Sequence, residues 1–304
     1  MNFKKRETYL SLLAMSVGDA AGENTMKILP QHYYKAGNVA GERNVDIKDY
    51  WPWTDDTHLG IGVVRTLFRF NTINQVELAK EFAANFHLDA RRGYGRGTHG
   101  LLSVFTYDSE NWEQHSRHWW GQNQGSKGNG SAMRDPVIGA HFGLDFGLVT
   151  KEARLSAEVT HYHPDAIAGS IAVAVAAANA TYGQLEDYWP NIIKHTPAGE
   201  VRDRIEWTAS AEAANETNWG VVVKVGNGKS VLALDTVPFA LWQVHKSLTE
   251  RQSFDTAINS IIEVGGDTDT IGAIFGGIIG NMIKPTEEEL ARTEPLPEDL
   301  VTNA

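Results

Sequence analysis

The sequence contains no cysteine. Disulfide frameworks, thiol catalysis and cysteine-rich structural zinc sites are therefore excluded, and any metal ion must be bound by oxygen or imidazole ligands. Basic residues are also in deficit, because 27 Lys and Arg stand against 38 Asp and Glu, which gives a net charge of −11 at pH 7. Proteins that bind duplex nucleic acid or an anionic membrane by neutralising phosphates carry the opposite sign, so we expect neither partner.

Long apolar runs are scarce as well. The run at residues 166–182 is mostly alanine, is interrupted by Ser170 and Asn179, and falls short of the ~20 strongly apolar residues that a bilayer-spanning helix needs. We expect a helix buried inside the domain. A basic segment at residues 4–6 precedes a short apolar stretch, as in a secretory signal, but an amphipathic first helix fits its early interruption better. We therefore expect a cytoplasmic protein.

The apolar residues recur mostly at spacings of three and four, the period of a helix face, and alternating β-type runs are few. The sequence therefore predicts an all-α protein with a single domain over residues 1–304. The clearest helix stripes lie at residues 60–68, 79–86 and 271–282. One small β-hairpin is expected where runs at 221–225 and 231–234 flank a Gly-Asn-Gly turn. After about residue 285 we expect a short surface helix and then loose chain.

Two acidic clusters, Thr54-Asp55-Asp56-Thr57 and Asp267-Thr268-Asp269-Thr270, each lie directly before a helix stripe. N-capping and the helix dipole favour Asp and Thr in the first turn of a helix, which accounts for part of the pattern. A cap needs only one residue, however, and each cluster supplies several carboxylate and hydroxyl oxygens. Mg²⁺ prefers such ligands, and two carboxylate sets that converge can bind a pair of metal ions. We therefore predict that the two clusters converge.

The second cluster is not an EF-hand, because Ile271 occupies the fifth loop position and no glutamate occupies the twelfth. An aspartate-nucleophile phosphatase is excluded too, since it would have threonine at that fifth position. In the helix that follows, Gly272, Gly276 and Gly280 recur every four residues. Each glycine costs a helix about 1 kcal/mol relative to alanine. Such a row predicts close contact with another backbone at the centre of the bundle.

Three further segments are candidates for ligand-binding loops: residues 92–98, 125–134 and 160–164. Glycine-rich loops bring backbone N–H groups close to anionic ligands, and a diphosphate would suit them. Glycine loops also commonly do no more than turn the chain, so that alternative stays open. His161 and His163 are candidates for zinc ligands, although a substrate-facing or internally bonded imidazole is the preferred interpretation.

Five motifs follow one another along the chain: Gly18-Asp19-Ala20-Ala21-Gly22, Trp53-Thr54-Asp55-Asp56-Thr57, Gly128 to Arg134, Thr160-His161 and Gly265-Gly266-Asp267-Thr268-Asp269-Thr270. Taken together, they resemble the ADP-ribosylglycohydrolase family. The resemblance implies a compact orthogonal all-α bundle with two Mg²⁺ ions, or Mn²⁺ in their place. It also implies hydrolysis of the bond between the distal ribose of ADP-ribose and an acceptor. The implied partner is an ADP-ribosylated protein or a small ADP-ribose conjugate.

The same resemblance assigns residues to roles. The metal ligands are implied to be Thr54, Asp55 and Asp56 on one side and Asp267, Asp269 and Thr270 on the other. The diphosphate and distal ribose are implied to lie against Gly125, Ser126, Lys127, Gly128, Asn129 and Gly130, with His161 beside the substrate. Residues 94–98, which include Tyr94 and Gly97, are implied to line the cleft.

Two departures from the family pattern concern Met26, where many members carry a glutamate, and Lys127, where members carry an aromatic residue. Glu23 is the candidate replacement for the missing glutamate. Asp56 is the preferred general base, which would take a proton from water as the anomeric bond breaks with oxocarbenium character, and Asp55 and Glu23 are further catalytic candidates. The alternatives are a metal-dependent phosphatase or nucleosidase acting on a similar nucleotide, and a non-catalytic ADP-ribose binder.

Overall fold

The structure is a computed structural model that describes residues 3–26, 50–120 and 123–303. Regular structure in these residues is helical, with two isolated β-bridges and no strand, which confirms the all-α prediction. In chain order, the α-helices are α1 Phe3–Met26, α2 Asp55–Phe70, α3 Gln75–Leu88, α4 Arg96–Asp108, α5 Trp112–His118, α6 Pro136–Phe142, α7 Phe146–Glu158, α8 Pro164–Tyr182, α9 Tyr188–His195, α10 Glu200–Thr208, α11 Ala211–Ala214, α12 Asn218–Val225, α13 Ala233–Glu250, α14 Phe254–Val264, α15 Thr268–Ile279, α16 Glu287–Arg292 and α17 Glu298–Asn303.

Helices α1 and α15 cross at the centre of the molecule with their backbones in contact. A Cβ atom added to Gly272 would collide with the carbonyl of Gly18, and one added to Gly22 would collide with the carbonyl of Thr268. The hydroxyl of Thr268 also donates a hydrogen bond of 3.1 Å to the carbonyl of Gly22. The close backbone contact predicted from the glycine row is therefore present, and it fixes the start of α15 against α1.

Helix α8 is long and apolar enough to cross a membrane, but 83% of that apolar window is buried inside the molecule. It packs against α6, α7, α13 and α15. Pro164 stands in its first turn, and Nδ1 of the N-cap residue His163 accepts a hydrogen bond of 3.1 Å from the backbone N–H of Asp165. The prediction of a buried core helix is confirmed.

The predicted β-hairpin around Gly226 is wrong. Its first arm is helix α12, which begins after the N-cap Thr217, and its second arm is loop and the first turn of α13. Valine favours strands when residues are considered singly. Here the helix places Val221 and Val225 four residues apart on one face, and both are fully buried, so tertiary packing overrides the local preference.

The chain after residue 285 forms two short helices. The predicted capping box at Thr286 is present and begins α16. The loose chain expected beyond it is instead helix α17, in which Leu300 is only 1% exposed. Asp299 accepts two hydrogen bonds, of 2.9 and 2.8 Å, from the guanidinium of Arg65. The segment is mostly polar, and the prediction overlooked Leu300, whose side chain packs into the core. The expectation of loose chain is therefore wrong.

Candidate metal and substrate site

The first acidic cluster lies at the start of α2. Thr54 is the N-cap: its hydroxyl oxygen accepts a hydrogen bond of 3.3 Å from the backbone N–H of Asp56 and donates one of 2.9 Å to Oδ2 of Asp56. Capping therefore uses Thr54 and leaves the carboxylates of Asp55 and Asp56 for another role. Oδ1 of Asp56 is buried and has no hydrogen-bond partner among the described residues.

Asp19 of α1 supports this cluster from beneath. Its side chain is fully buried and accepts hydrogen bonds of 3.0 Å from the backbone N–H groups of Thr54 and Thr57 and one of 2.6 Å from the hydroxyl of Thr57. Burial raises the pKa of Asp19 to about 7, against the lowering effect of these hydrogen bonds. Every bond of this carboxylate goes to the first turn of α2, so Asp19 positions the cluster.

The second acidic cluster lies at the start of α15. Asp267 is the N-cap residue, yet its side chain makes no capping hydrogen bond. Oδ2 of Asp267 instead accepts a hydrogen bond of 2.6 Å from the amide of Asn129, which also donates to the hydroxyl of Thr236 at 3.0 Å. Oδ1 of Asp269 accepts a hydrogen bond of 2.9 Å from the backbone N–H of Thr270. N-capping therefore does not explain Asp267.

The structure brings the two clusters together. Burial raises the pKa of Asp55 and of Asp56 well above the usual range, and the charge of Asp269 from the second cluster raises both further. Burial and the neighbouring Asp269 likewise raise the pKa of Asp267. Glu23 lies on α1 four residues after Asp19, on the same helix face, and its charge also raises the pKa of Asp55. These carboxylates repel one another in a water-poor environment, an arrangement that a bound divalent cation would relieve.

The ligand set fits Mg²⁺ in chemistry. Among the described residues, no group of three or more His, Asp and Glu side chains is already arranged to hold a metal ion. The donor atoms are bonded to one another instead, Thr54 to Asp56 and Asn129 to Asp267. A cation would replace these internal hydrogen bonds and would be coordinated by the oxygens that they release. Carboxylate and hydroxyl oxygens are the ligands of Mg²⁺ and Mn²⁺, and His163 serves as a helix cap.

The glycine-rich loop lies beside the second cluster, to which Asn129 ties it. Gly125 adopts a φ of 73°, and the backbone N–H of Gly128 donates a hydrogen bond of 3.0 Å to the hydroxyl of Ser126. Nζ of Lys127 lies 3.7 Å from a carboxylate oxygen of Asp165, and its side chain is half exposed. This exposed cation stands where the family pattern has an aromatic residue.

His161 lies directly under the same loop. A Cβ atom added to Gly130 would lie 2.7 Å from Cε1 of the imidazole, and one added to Gly128 would lie 3.1 Å from its Nε2. A side chain at Gly130 would therefore displace the ring, and one at Gly128 would crowd it. His161 is 3% exposed, so the ring is packed under the loop.

The segment at residues 92–98 covers the first cluster. The backbone N–H of Asp55 donates a hydrogen bond of 2.7 Å to the carbonyl of Arg92. Tyr94 is 8% exposed, and its hydroxyl lies 2.9 Å from Nδ1 of His58. Gly97 is covered by the indole of Trp120, so the surface at this position is formed by Trp120 rather than by Gly97.

Several residues of the site were not singled out from the sequence. The carbonyl of Asn227 accepts a hydrogen bond of 3.0 Å from the backbone N–H of Asp267, so the supposed hairpin turn in fact supports the second cluster. Arg92 stacks on the indole of Trp53 at 3.9 Å and pairs with Glu294, 202 residues away. His58 could have been selected from the sequence because it directly follows the first cluster. No sequence pattern around Glu294 indicates that it contacts the site. The side chain of Met26 lies outside the described residues.

The fold and site define an all-α protein with a buried, oxygen-rich acidic centre. The profile of the ADP-ribosylglycohydrolase family matches residues 5–287. The chain is 28% identical to ADP-ribosylhydrolase ARH3 of Gallus gallus, over 80% of this chain and 72% of that protein. It is also 28% identical to ADP-ribosylhydrolase ARH3 of Homo sapiens, over 75% of this chain and 70% of that protein.

The fold has a counterpart among solved structures. A chain described as an ADP-ribosylglycohydrolase-related protein complex superposes with a TM-score of 0.70 at 16% identity, and the match covers 100% of this chain and 97% of that one. The chain therefore belongs to the ADP-ribosylglycohydrolase family, which confirms the membership predicted from the five motifs.

Proposed function

We propose that the protein is a magnesium-dependent hydrolase that releases ADP-ribose from a modified protein side chain or a small conjugate. The observation that carries the proposal is that helix α1 holds both acidic clusters, since Asp19 binds the start of α2 and Gly22 contacts the backbone of Thr268 and Asp269, beside a glycine-rich loop that Asn129 ties to Asp267. Membership of the family, and relatives named ADP-ribosylhydrolase, support the substrate class. The intact acidic centre argues against a non-catalytic ADP-ribose binder.

The chain would hold the metal pair through six side chains. They are Thr54, Asp55 and Asp56 at the start of α2, and Asp267, Asp269 and Thr270 at the start of α15. When bound, two Mg²⁺ ions, or Mn²⁺ in their place, would supply Lewis-acid chemistry, which polarises hydroxyl groups and lowers the pKa of water. Asp19 orients the first acidic cluster, and Asn129 of the substrate-binding loop also orients the second.

Asp56 is the proposed general base. Its Oδ1 atom is buried and unpartnered among the described residues, so it is free to accept a proton from the attacking water. The oxygen of that water forms a bond to the anomeric carbon as the bond to the acceptor breaks, the departing acceptor takes up a proton from solvent, and Asp56 returns its proton to solvent. Asp55 and Glu23 are the alternative bases, since both lie beside the same centre.

Substrate binding is assigned to the loop at residues 125–130 and to His161. Backbone N–H groups in this loop and the exposed ammonium group of Lys127 suit a diphosphate. Lys127 is also a point of difference, because a cation attracts the diphosphate where an aromatic ring would stack on a base. The loop and the acidic centre are held together by Asn129, so ligand and metal sites form one unit.

The experiment that tests this function is a product assay with three substrates. Protein with Mg²⁺ is incubated with ADP-ribosyl-arginine, with an ADP-ribosyl-serine peptide and with ADP-ribose-1″-phosphate. Release of ADP-ribose from the arginine or the serine substrate supports the proposal and identifies the acceptor. Turnover of ADP-ribose-1″-phosphate alone, which yields ADP-ribose together with phosphate, would assign a phosphatase, and binding without product from any substrate would assign a binder. The matched control for Asp56→Asn is Asp255→Asn, which removes one exposed charge from the first turn of α14.

A further inference from the structure

Arg134 is a fully buried cation next to the substrate loop. Its guanidinium donates hydrogen bonds of 3.0 Å to the carbonyl of Gly130, 2.7 Å to the carbonyl of Ser156 and 2.8 Å to the hydroxyl oxygen of Thr160. Nε lies 4.0 Å from a carboxylate oxygen of Asp135, which supplies the counter-charge. Burying an arginine is costly, and these three hydrogen bonds and the carboxylate of Asp135 offset part of that cost, while Nε itself has no hydrogen-bond partner among the described residues. Two of these bonds lead to Gly130 of the glycine-rich loop and to Thr160, the residue before His161.

Thr160 links Arg134 to His161. Its hydroxyl oxygen accepts from Arg134 and lies 2.7 Å from Nδ1 of His161. A guanidinium group can only donate, so the hydroxyl proton is not used in that bond. Among the described residues, Nδ1 is the one acceptor that this proton can reach in a hydrogen bond. The hydroxyl of Thr160 therefore donates to Nδ1.

An Nδ1 atom that accepts a hydrogen bond carries no proton, so the single proton of a neutral imidazole is on Nε2. His161 is neutral, because burial and then the charge of Arg134 lower its pKa to about 3. Nε2 faces the loop, 3.1 Å from where a Cβ atom on Gly128 would stand. No described residue forms a hydrogen bond with it.

We infer that Arg134 and Thr160 are positioning residues that hold His161 in its Nε2–H form, so that the imidazole offers a hydrogen-bond donor to an anionic group of the substrate. The identity of that group as part of ADP-ribose rests on the proposed function, whereas the position of the proton is a property of the free protein. The opposite tautomer would direct a lone pair at the same place and repel a phosphate oxygen. A neutral N–H donor also gains binding energy without a second buried charge.

The same guanidinium fixes both partners of this contact. It holds the carbonyl of Gly130, which sets the loop, and it polarises the hydroxyl of Thr160, which strengthens the donation to His161. The guanidinium of Arg134 thus positions both the loop at Gly130 and, through Thr160, the imidazole of His161. This accounts for an arginine with no role in the reaction itself.

The direct test is the protonation state of the His161 ring in the ligand-free wild-type protein at neutral pH. Nitrogen-15 NMR distinguishes protonated from unprotonated ring nitrogens, and comparison with His161→Gln assigns the signal among the 11 histidines. The expected spectrum has a protonated Nε2 and an unprotonated, hydrogen-bonded Nδ1. A protonated Nδ1 in the folded wild-type protein overturns the inference, and this measurement requires no variant of Thr160 or Arg134 to fold.

Thr160→Val removes the hydroxyl at nearly constant volume, and Thr160→Ser is the matched control that keeps it. In the valine variant, the nitrogen-15 chemical shift of Nδ1 is expected to change to that of an unprotonated nitrogen without a hydrogen bond. The Kd for ADP-ribose is expected to rise about tenfold, as for loss of one hydrogen bond to a charged group. The serine variant is expected to retain both values. An unchanged Nδ1 signal and Kd in Thr160→Val would contradict the positioning role. The expected tautomer in a protein that binds no ADP-ribose would instead overturn the proposed function.

Discussion

Two buried aspartates show how the same residue type serves opposite purposes. Asp19 accepts hydrogen bonds from the backbone N–H groups of Thr54 and Thr57 and from the hydroxyl of Thr57. Asp56 accepts from Thr54 through one oxygen, and its other oxygen is unpartnered among the described residues. The hydrogen bonds of Asp19 stabilise the fold, whereas the free oxygen of Asp56 is available for chemistry.

The substitutions Asp19→Asn and Asp56→Asn should therefore have opposite profiles. Asp56→Asn is expected to lower turnover about 10²–10⁴-fold, the value typical of a lost general base, with little loss of stability because it relieves repulsion in the acidic centre. Asp19→Asn is expected to lower the melting temperature more than it lowers turnover per folded molecule. Melting temperature and Mg²⁺-saturated turnover are measured for both. If Asp56→Asn keeps near-parental turnover, the base must be reassigned to Asp55, Asp269 or Glu23.

A buried histidine makes the stability of the protein depend on pH. His141 lies 3.0 Å from the hydroxyl of Thr8 and 2.9 Å from Oδ1 of Asn71, and burial lowers its pKa to about 4. An unfolded histidine titrates near 6.5. Between these values the unfolded state binds more protons, so His141 makes the folded state less stable as the pH falls from about 6.5 to about 4.

His141→Gln is expected to flatten this pH dependence. The change in urea midpoint between pH 7 and pH 5 should be smaller in the variant than in the wild type, whatever the variant does to stability at pH 7. His161, whose pKa burial also lowers, is present in both proteins and cancels in the comparison. Equal changes of midpoint in the two proteins would mean that His141 does not contribute.

At the scale of the helices, the crossing of α1 and α15 determines where the second cluster lies. A Cβ atom on Gly276 would collide with the carbonyl of Ala14, and this obstacle is backbone rather than a movable side chain. Gly276→Ala is therefore expected to lower the free energy of unfolding by about 1–3 kcal/mol, the usual cost of overpacking, despite the better helix propensity of alanine. The free energy of unfolding of the variant and of the wild type is measured by urea denaturation.

Gly147→Ala is the matched control for that substitution. Gly147 lies in the first turn of α7, is exposed, and would bring its Cβ atom no closer than 3.5 Å to another residue. Alanine there should leave stability unchanged or raise it slightly. Equal effects of the two substitutions would show that the central crossing tolerates a side chain and that the glycine row has another cause.

The helices that could be predicted from the sequence are those whose apolar period and first turn agree. Helices α2 and α15 begin at acidic clusters and continue as apolar stripes, so the sequence predicted both that these segments are helical and where they begin. Helix α12 was mistaken for a strand because five residues rich in valine are too short to show a period. Burial of Val221 and Val225 against neighbouring helices, which no local pattern contains, decided its structure.

At the scale of the whole molecule, residues near the end of the described chain are bound to the segment that precedes the first acidic cluster. The backbone N–H of Trp51 donates to the carbonyl of Arg292 at 2.7 Å, and the indole of Trp53 donates to the carbonyl of Glu294 at 3.1 Å. Sequence spacing predicted the two acidic clusters, because each of them is local. It could not predict the partners of Trp51 and Trp53, since residues more than 200 positions apart are joined only by the complete fold.

The central claim is that the two acidic clusters form one magnesium centre on which turnover depends. The most direct measurement is calorimetric titration of Mg²⁺ into chelator-treated protein, with release of ADP-ribose assayed on the same samples before and after the metal is restored. The account predicts uptake of two ions per chain, a higher melting temperature with Mg²⁺, loss of activity in excess chelator and its recovery with Mg²⁺. No uptake of Mg²⁺, or full turnover in excess chelator, would contradict it.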